Sequence, residues 1–251
     1  NDYYRFLIKL CDEENVQGSV VFPTDDETVN FLARYKKKLV PYFTLFTPEW
    51  ERVKFLYNKR LSYQLAERLS IPIPATRYPA SRDEVMEIDL DFPLIIKPAV
   101  MRDFFRKTGK KVFRVNNRTE LDRLYQKAVE IIPADQILIQ EEIPEVSRNL
   151  FSFCPLFSGG KTVARVVAQR LRQHPMDFGQ ASTYAVSVHS PELEEMGERL
   201  LKEIDYEGIA EVEFIRDPRT GVFKFLEVNP RIWGWHTLAI AAGVNLPLLQ
   251  Y

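Results

Sequence analysis

Residues 211–231 restrict the fold of this chain more than any other stretch: Glu-Val-Glu-Phe-Ile-Arg, then Asp-Pro-Arg-Thr-Gly, then Val-Phe-Lys-Phe-Leu-Glu-Val-Asn-Pro-Arg. Apolar and polar residues alternate in the first arm, and the second is rich in β-branched and aromatic side chains, a pattern that predicts two strands. Asp-Pro and Thr-Gly between them predict the turn of a β-hairpin. Side chains alternate faces along a strand, so Glu227 and Asn229 share one. A turn centred on Arg219 or Thr220 pairs odd positions with odd and brings Glu211 or Glu213 onto the face of Glu227. A bulge in either arm breaks that parity. Carboxylates opposed across a ladder repel, and a cation between them relieves the repulsion. Magnesium takes oxygen ligands from one or two carboxylates together with phosphate oxygens. Glu213, Glu227 and the amide oxygen of Asn229 meet that demand, with Arg231 one step further along the same face. The plain alternative is a charged hairpin face turned to water.

A chain of 251 residues is long enough for two domains, or for one large domain with a flap. Lys and Arg number 34 against 35 Asp and Glu, a net charge of −1 that argues against a general nucleic-acid or membrane binder. Cys11 and Cys154 are far apart and carry no metal spacing, so neither a disulfide scaffold nor a zinc site is expected. No apolar run reaches membrane-spanning length and no signal-peptide pattern is visible, and a reducing, cytoplasmic setting is the expectation.

In chain order, Phe6, Leu7, Leu10 and Cys11 have helical spacing, residues 20–22 form a short buried strand, Thr24 or Asp25 caps a second helix, and residues 40–43 predict another strand. This opening reads as a piece of an open parallel sheet. Thr47 and Pro48 predict a helix start, with a break near Asn58 and an end at Leu69. Ile71-Pro72-Ile73-Pro74 is a boundary or hinge, and Ser81 caps a short helix. Strands are predicted over 94–98, 112–115 and 136–143, with a basic loop over 99–110 and a helix capped by Asn117. Residues 150–157 and 162–171 form a hairpin about Ser158-Gly159-Gly160, residues 181–188 a further strand, and Ser190-Pro191-Glu192 starts a helix. A short helix over 236–242 is ended by Gly243 and, further on, Pro247. Arg170, Arg172 and His174 share a strand face by parity, while Asp25, Asp26 and Glu27 read as helix capping and dipole charge.

The hairpin's Glu-Val-Glu-Phe and Leu-Glu-Val-Asn-Pro-Arg closely resemble the magnesium-binding strands of ATP-grasp enzymes. Further matches follow in order: Asn58-Lys59-Arg60 with the exit through Pro74-Ala75-Thr76, Ile95-Ile96-Lys97-Pro98, Ile139-Gln140-Glu141-Glu142-Ile143-Pro144, and Gly243-Val244-Asn245-Leu246-Pro247. The set runs from about Asp25 onward. Within the superfamily it resembles carboxylate–amine ligases of the D-aspartate-ligase-like kind, a match that includes residues 170–175 with Phe178 and Gly179. Two departures stand out. A bulky basic segment, residues 101–111, replaces the usual glycine-rich loop, and residues 145–149 lack the glycine and acid that often follow the hinge.

The resemblance implies an α+β ATP-grasp fold, in which two α+β subdomains clamp ATP behind a partial αβ pre-ATP-grasp domain. The expected partition is 1–46, then 47–144 with a lid over about 75–142, then 145–251. ATP and magnesium, or manganese in its place, are the implied cofactors. The metal would lie on Glu213, Glu227 and Asn229, and the phosphates on Lys59 and Lys97. Adenine and ribose would be read at Gln140, Glu141, Glu142 and Ile143, with Arg231 and Arg172 as catalytic groups. The implied reaction joins a small carboxylate to an amine through an acyl phosphate, releasing ADP and phosphate. A carboxylase or other small-acid-phosphorylating enzyme is the alternative, and a non-catalytic nucleotide-binding relative is a third.

Overall fold

In a computed structural model, which describes residues 2–175, 179 and 181–251, the chain folds around three sheets. The first unit runs α1 (Asp2–Glu14), β1 (Val20–Val21), α2 (Asp26–Leu39) and β2 (Thr44–Leu45), with the two strands parallel. Leu7, Cys11, Leu32, Leu39 and Phe43 pack between them. Asp25 caps α2 by accepting from the Thr28 amide at 2.9 Å. The second strand lies beyond the predicted 40–43 because Val40 still has helical angles and donates to the Lys36 carbonyl, so the helix end absorbs that segment.

Two helices follow, α3 (Trp50–Tyr57) and α4 (Lys59–Arg68), broken at Asn58 as expected. Asn58 is extended and its side chain accepts from the amides of Arg60 and Leu61, which restarts the helix. Glu49, not Thr47, occupies the cap position of α3, and the buried Thr47 hydroxyl has no partner among the described residues.

The four-stranded sheet collects β3 (Thr76–Arg77), α5 (Arg82–Met86), β4 (Leu94–Pro98), α6 (Met101–Thr108), β5 (Phe113–Val115), α7 (Arg118–Val129) and β6 (Ile137–Glu141). Its order is β3-β6-β4-β5, all antiparallel. The predicted basic loop is the helix α6. Phe104 is buried in the sheet's core, Arg102, Arg106 and Lys107 are exposed, and Gly109 closes the helix with a left-handed φ of 66°. No breaker interrupts residues 101–108, so the helix forms despite its charge.

The largest sheet contains β7 (Leu150–Ser158), β8 (Lys161–His174), β9 (Ala181–Ser187), β10 (Gly208–Ile209), β11 (Glu211–Arg216) and β12 (Phe223–Asn229). Its order is β12-β11-β7-β8-β9, with β10 beside β7. One face packs Phe151, Phe153, Val212, Phe214 and Phe225 against α4 and against α8 (Pro191–Glu203). Gly197 permits that approach, since a Cβ there would stand 2.3 Å from the Phe153 ring. The chain ends through α9 (Thr237–Ala241) and α10 (Leu246–Gln250). Pro247 is not a stop: it sits in the first turn of α10, where its missing N–H costs nothing.

The hairpin's turn is centred between Arg219 and Thr220, because Arg216 pairs with Phe223 and Phe214 with Phe225. That register joins odd positions to even. A bulge at Leu226 then restores the parity, so that Glu213 faces Glu227 and Glu211 faces Asn229.

Candidate active site

Glu213 and Glu227 are direct partners across the ladder of β11 and β12. Each is paired with its own cation. Arg170 on β8 donates to Glu213, and Lys59 at the start of α4 donates to Glu227. Glu211 lies one pair further on, accepting from the Ser152 hydroxyl at 2.9 Å with an Arg170 nitrogen 3.7 Å away. Asn229 donates through Nδ2 to both Glu211 (3.1 Å) and Glu213 (2.8 Å), and its Oδ1 accepts from Arg231 at 3.2 Å. Glu211, Glu213 and Asn229 are all buried, which excludes a face turned to water. Burial, reinforced by the charge of Glu213, pushes the Glu211 carboxyl up to about 7. Burial acts the same way on Glu227, but the charge and hydrogen bond of Lys59 overcome it and hold that carboxylate well below its ordinary range.

The second lysine comes from the other large sheet. Lys97, 7 % exposed on β4, donates to the Tyr63 hydroxyl and to Gln140 Oε1 at 2.8 Å. Gln140 in turn donates to Thr76 Oγ1 at 2.7 Å. Burial, with repulsion from Lys59, draws the Lys97 ammonium down to about 7 against the opposing pull of Glu227. Lys97 and Glu227 therefore lie near enough to feel each other's charge, linked through Tyr63 and Lys59 of α4, which bond to one each.

At the end of β6, Glu141 accepts from the Ala75 amide (2.8 Å), Lys224 (2.6 Å) and Arg219, while Glu142 accepts from Arg114 at 2.7 Å. Ile143 is buried against Leu150 and Ile215. These contacts tie the end of β6 to the β11–β12 hairpin, because Arg219 and Lys224 also hold Asp217 in its turn. The strand is interior, flanked by β3 and β4, rather than an edge.

Arg172 is the predicted residue the fold does not bring to this cluster. The β8 register shifts at Leu171, so Arg170 points to the carboxylates while Arg172 emerges exposed and donates to Thr183 Oγ1 at 3.0 Å. With Arg148, Leu171 and Tyr184 it lines a separate open cleft of about 550 Å³. The expected shared face of Arg170, Arg172 and His174 is broken by that bulge. Phe178 lies outside the described residues; the neighbouring Gly179 carbonyl accepts from Lys111 at 2.6 Å. The sequence gives Tyr63 no task and Asp26 only helix capping and dipole charge, with no sign of its bond to Arg231. Tyr63 had a signal, one helical turn after Lys59. Asp26, which accepts from Arg231 Nε at 2.6 Å across 205 positions, had none.

The donor set suits magnesium. Among the described residues no three His, Cys, Asp or Glu side chains converge on one point, but two carboxylates suffice when phosphate oxygens complete the coordination. Asn229 would have to turn its amide to offer oxygen, since Nδ2 now faces the carboxylates.

A family profile, the ATP-binding domain of the carbamoyl-phosphate synthase L chain, matches residues 182–250. The crystal structure of the biotin carboxylase–β-γ-ATP complex from Campylobacter jejuni superimposes with a TM-score of 0.77 at 18% identity, over 96% of this chain and 55% of that one. The chain has the α+β ATP-grasp fold. Two curated proteins are similar to it in sequence. D-aspartate ligase from Enterococcus faecium is 23% identical over 97% of this chain and 61% of the ligase. Acetyl-CoA carboxylase 1 from Oryza sativa subsp. japonica is 30% identical over 61% of this chain and 7% of the carboxylase. The chain thus spans less than two thirds of the length of these relatives. None of its described helices is long and apolar enough to cross a membrane.

Proposed function

We propose that this protein binds ATP between its two larger sheets and transfers the γ-phosphoryl group to a small acid, leaving ADP. The observation that carries this reading is the opposed pair of buried Glu213 and part-buried Glu227, held among Lys59, Arg170, Asn229 and Arg231. Carboxylates held in place by cations are ready to exchange those cations for a metal and its phosphates. Lys97 and Lys59 would contact the phosphates, with Gln140, Glu141, Glu142 and Ile143 beside the adenosine. Magnesium on Glu213, Glu227 and Asn229 would neutralise charge on the outer phosphates. Arg231 would stabilise the transferring group, with Arg170 rather than Arg172 as the second arginine at the site. An oxygen of the acid attacks the γ-phosphorus, the bond from that phosphorus to the β–γ bridging oxygen breaks, and a mixed anhydride forms.

The acid we favour is bicarbonate, in a carboxylase-type reaction. The structural likeness to a biotin carboxylase and the sequence likeness to an acetyl-CoA carboxylase support it. Ligation of a carboxylate to an amine through the same kind of anhydride is the second reading, supported by the likeness to D-aspartate ligase over 97% of the chain. Release of ADP from Mg-ATP, followed with bicarbonate and with small carboxylic acids, each with and without amines, tests both. Bicarbonate-dependent ADP release that amines leave unchanged supports the carboxylase. Stimulation by an amine supports the ligase. AMP and pyrophosphate as products would sink both.

A further inference from the structure

Arg231 is held by three oxygens of unequal strength. Its Nε donates to Asp26 Oδ1 at 2.6 Å, one terminal nitrogen to Asn229 Oδ1 at 3.2 Å, and the other to the Ile232 carbonyl at 3.4 Å. Only the first acceptor is charged, and charge-assisted hydrogen bonds are about twice as strong as neutral ones. The second is conditional, because turning the Asn229 amide to offer its oxygen to a cation on Glu213 and Glu227 takes that oxygen away from Arg231. Once the amide turns, Asp26 and the distant Ile232 carbonyl remain.

Asp26 is itself well fixed. It is the first residue of α2, whose start is capped by Asp25 through both the amide and the hydroxyl of Thr28. Its neighbour Glu27 accepts from the Tyr57 hydroxyl at 2.8 Å and lies 3.2 Å from Arg102 of α6. The start of α2 is thereby tied to α3, to the lid helix and to the hairpin. The Arg231 side chain is only 18 % exposed, a setting where a misplaced guanidinium has little water to fall back on.

From this arrangement we infer that Asp26, on the N-terminal unit, is a positioning residue for phosphoryl transfer: it anchors Arg231 through Nε and leaves the two terminal nitrogens to meet the transferring group. The inference rests on the proposed chemistry for its kinetic consequence, but the anchoring itself is independent of it.

Two readouts separate the two. In protein labelled with ¹⁵N at arginine Nε, the Arg231 Nε–H gives a resonance, assigned by its loss in Arg231→Lys, that is protected from solvent exchange. Asp26→Ala abolishes that protection and Asp26→Asn, which keeps an oxygen in place, retains most of it. Identical protection in wild type and Asp26→Ala overturns the anchor whatever the enzyme does. In the kinetic arm, Asp26→Ala lowers kcat by ~100-fold, the scale expected when a reacting group is misplaced by about an ångström. The Kd for Mg-ATP and the apparent KM for the acid change little, and Asp26→Asn restores much of the rate. An unchanged kcat, or a loss of rate matched by loss of ATP binding, overturns the positioning role. If wild-type protein releases no ADP with any acid, the proposed chemistry fails, and the resonance alone decides whether Asp26 anchors Arg231.

Discussion

Glu213 and Glu227 stand directly opposite each other across β11 and β12, yet each is bonded to a different cation from a different element: Arg170 of β8 and Lys59 of α4. Two further elements thus converge on a pair that would otherwise repel. The pair is a charge-balanced site, and its balance can shift when a cation and phosphates arrive.

Removing one charge from the pair tests it. Glu227→Gln keeps the shape and a hydrogen-bond acceptor for Lys59 but removes the charge that matches it. ADP release at limiting magnesium is expected to fall by orders of magnitude while the far-ultraviolet circular dichroism spectrum is retained. Unchanged turnover would mean that the carboxylates serve the fold and not the chemistry.

Lys97 predicts a pH dependence of nucleotide binding. Burial and Lys59 hold its ammonium at about 7 in place of the usual 10.5. Phosphate oxygens beside Nζ favour the charged form, so the bound pKa exceeds the free one. Below pH 7 the lysine is already protonated and binding takes up no proton from it. Between the free and bound values, binding takes up as much as one proton, and the Kd for Mg-ATP rises by up to about tenfold per pH unit. Calorimetry in buffers of different ionisation enthalpy measures the uptake directly, and Lys97→Met abolishes it. Buffer-independent heats at pH 8 in wild type would contradict the assignment.

Gly197→Ala isolates packing from chemistry. The added Cβ would stand 2.3 Å from Phe153, a ring buried in the largest core cluster between α8 and β7. Overpacking of this kind costs typically about 1–3 kcal/mol, read as a lowered urea midpoint. Glu211 and Glu213 lie on the other face of the sheet from Phe153, so the affinity for Mg-ATP in the folded protein should hold.

How far the sequence reveals the site depends on the range of each interaction. The hairpin was legible because strand alternation and turn chemistry are local, and its residues carry the motif. Register was not. Whether Glu213 faces Glu227 depends on one extra residue, Leu226, and whether Arg172 joins Arg170 depends on another, Leu171. Neither leucine differs from its neighbours in any local preference. The charge of residues 101–108 suggests a loop, although buried Phe104 and the absence of a breaker make the segment a helix. Asp26 reaches Arg231 only through the packing of the whole first unit, and nothing near either residue announces the other.

The two arginines of β8 turn this lesson into a paired test. They are two positions apart, but the bulge between them gives opposite environments. The Arg170 side chain is 11 % exposed and bonded to Glu213 and lies near Glu211, whereas Arg172 is exposed and bonded to Thr183. Arg170→Ala leaves two carboxylates in a buried site without their shared cation. Breaking a buried ion pair from one side typically costs about 3–5 kcal/mol. Loss of the Arg170 charge, which opposes the upward shift of Glu211, raises that carboxyl's pKa further, and its protonation relieves part of the cost, so the loss should be smaller at acidic pH. Arg172→Ala removes one exposed hydrogen bond and should change stability by no more than the ~0.5 kcal/mol usual for surface substitutions, with the affinity for Mg-ATP unchanged. Urea unfolding and nucleotide titration of both variants give the comparison. A larger loss from Arg172→Ala than from Arg170→Ala would mean that the bulge at Leu171 is absent in solution and that the simple alternation of the strand holds after all.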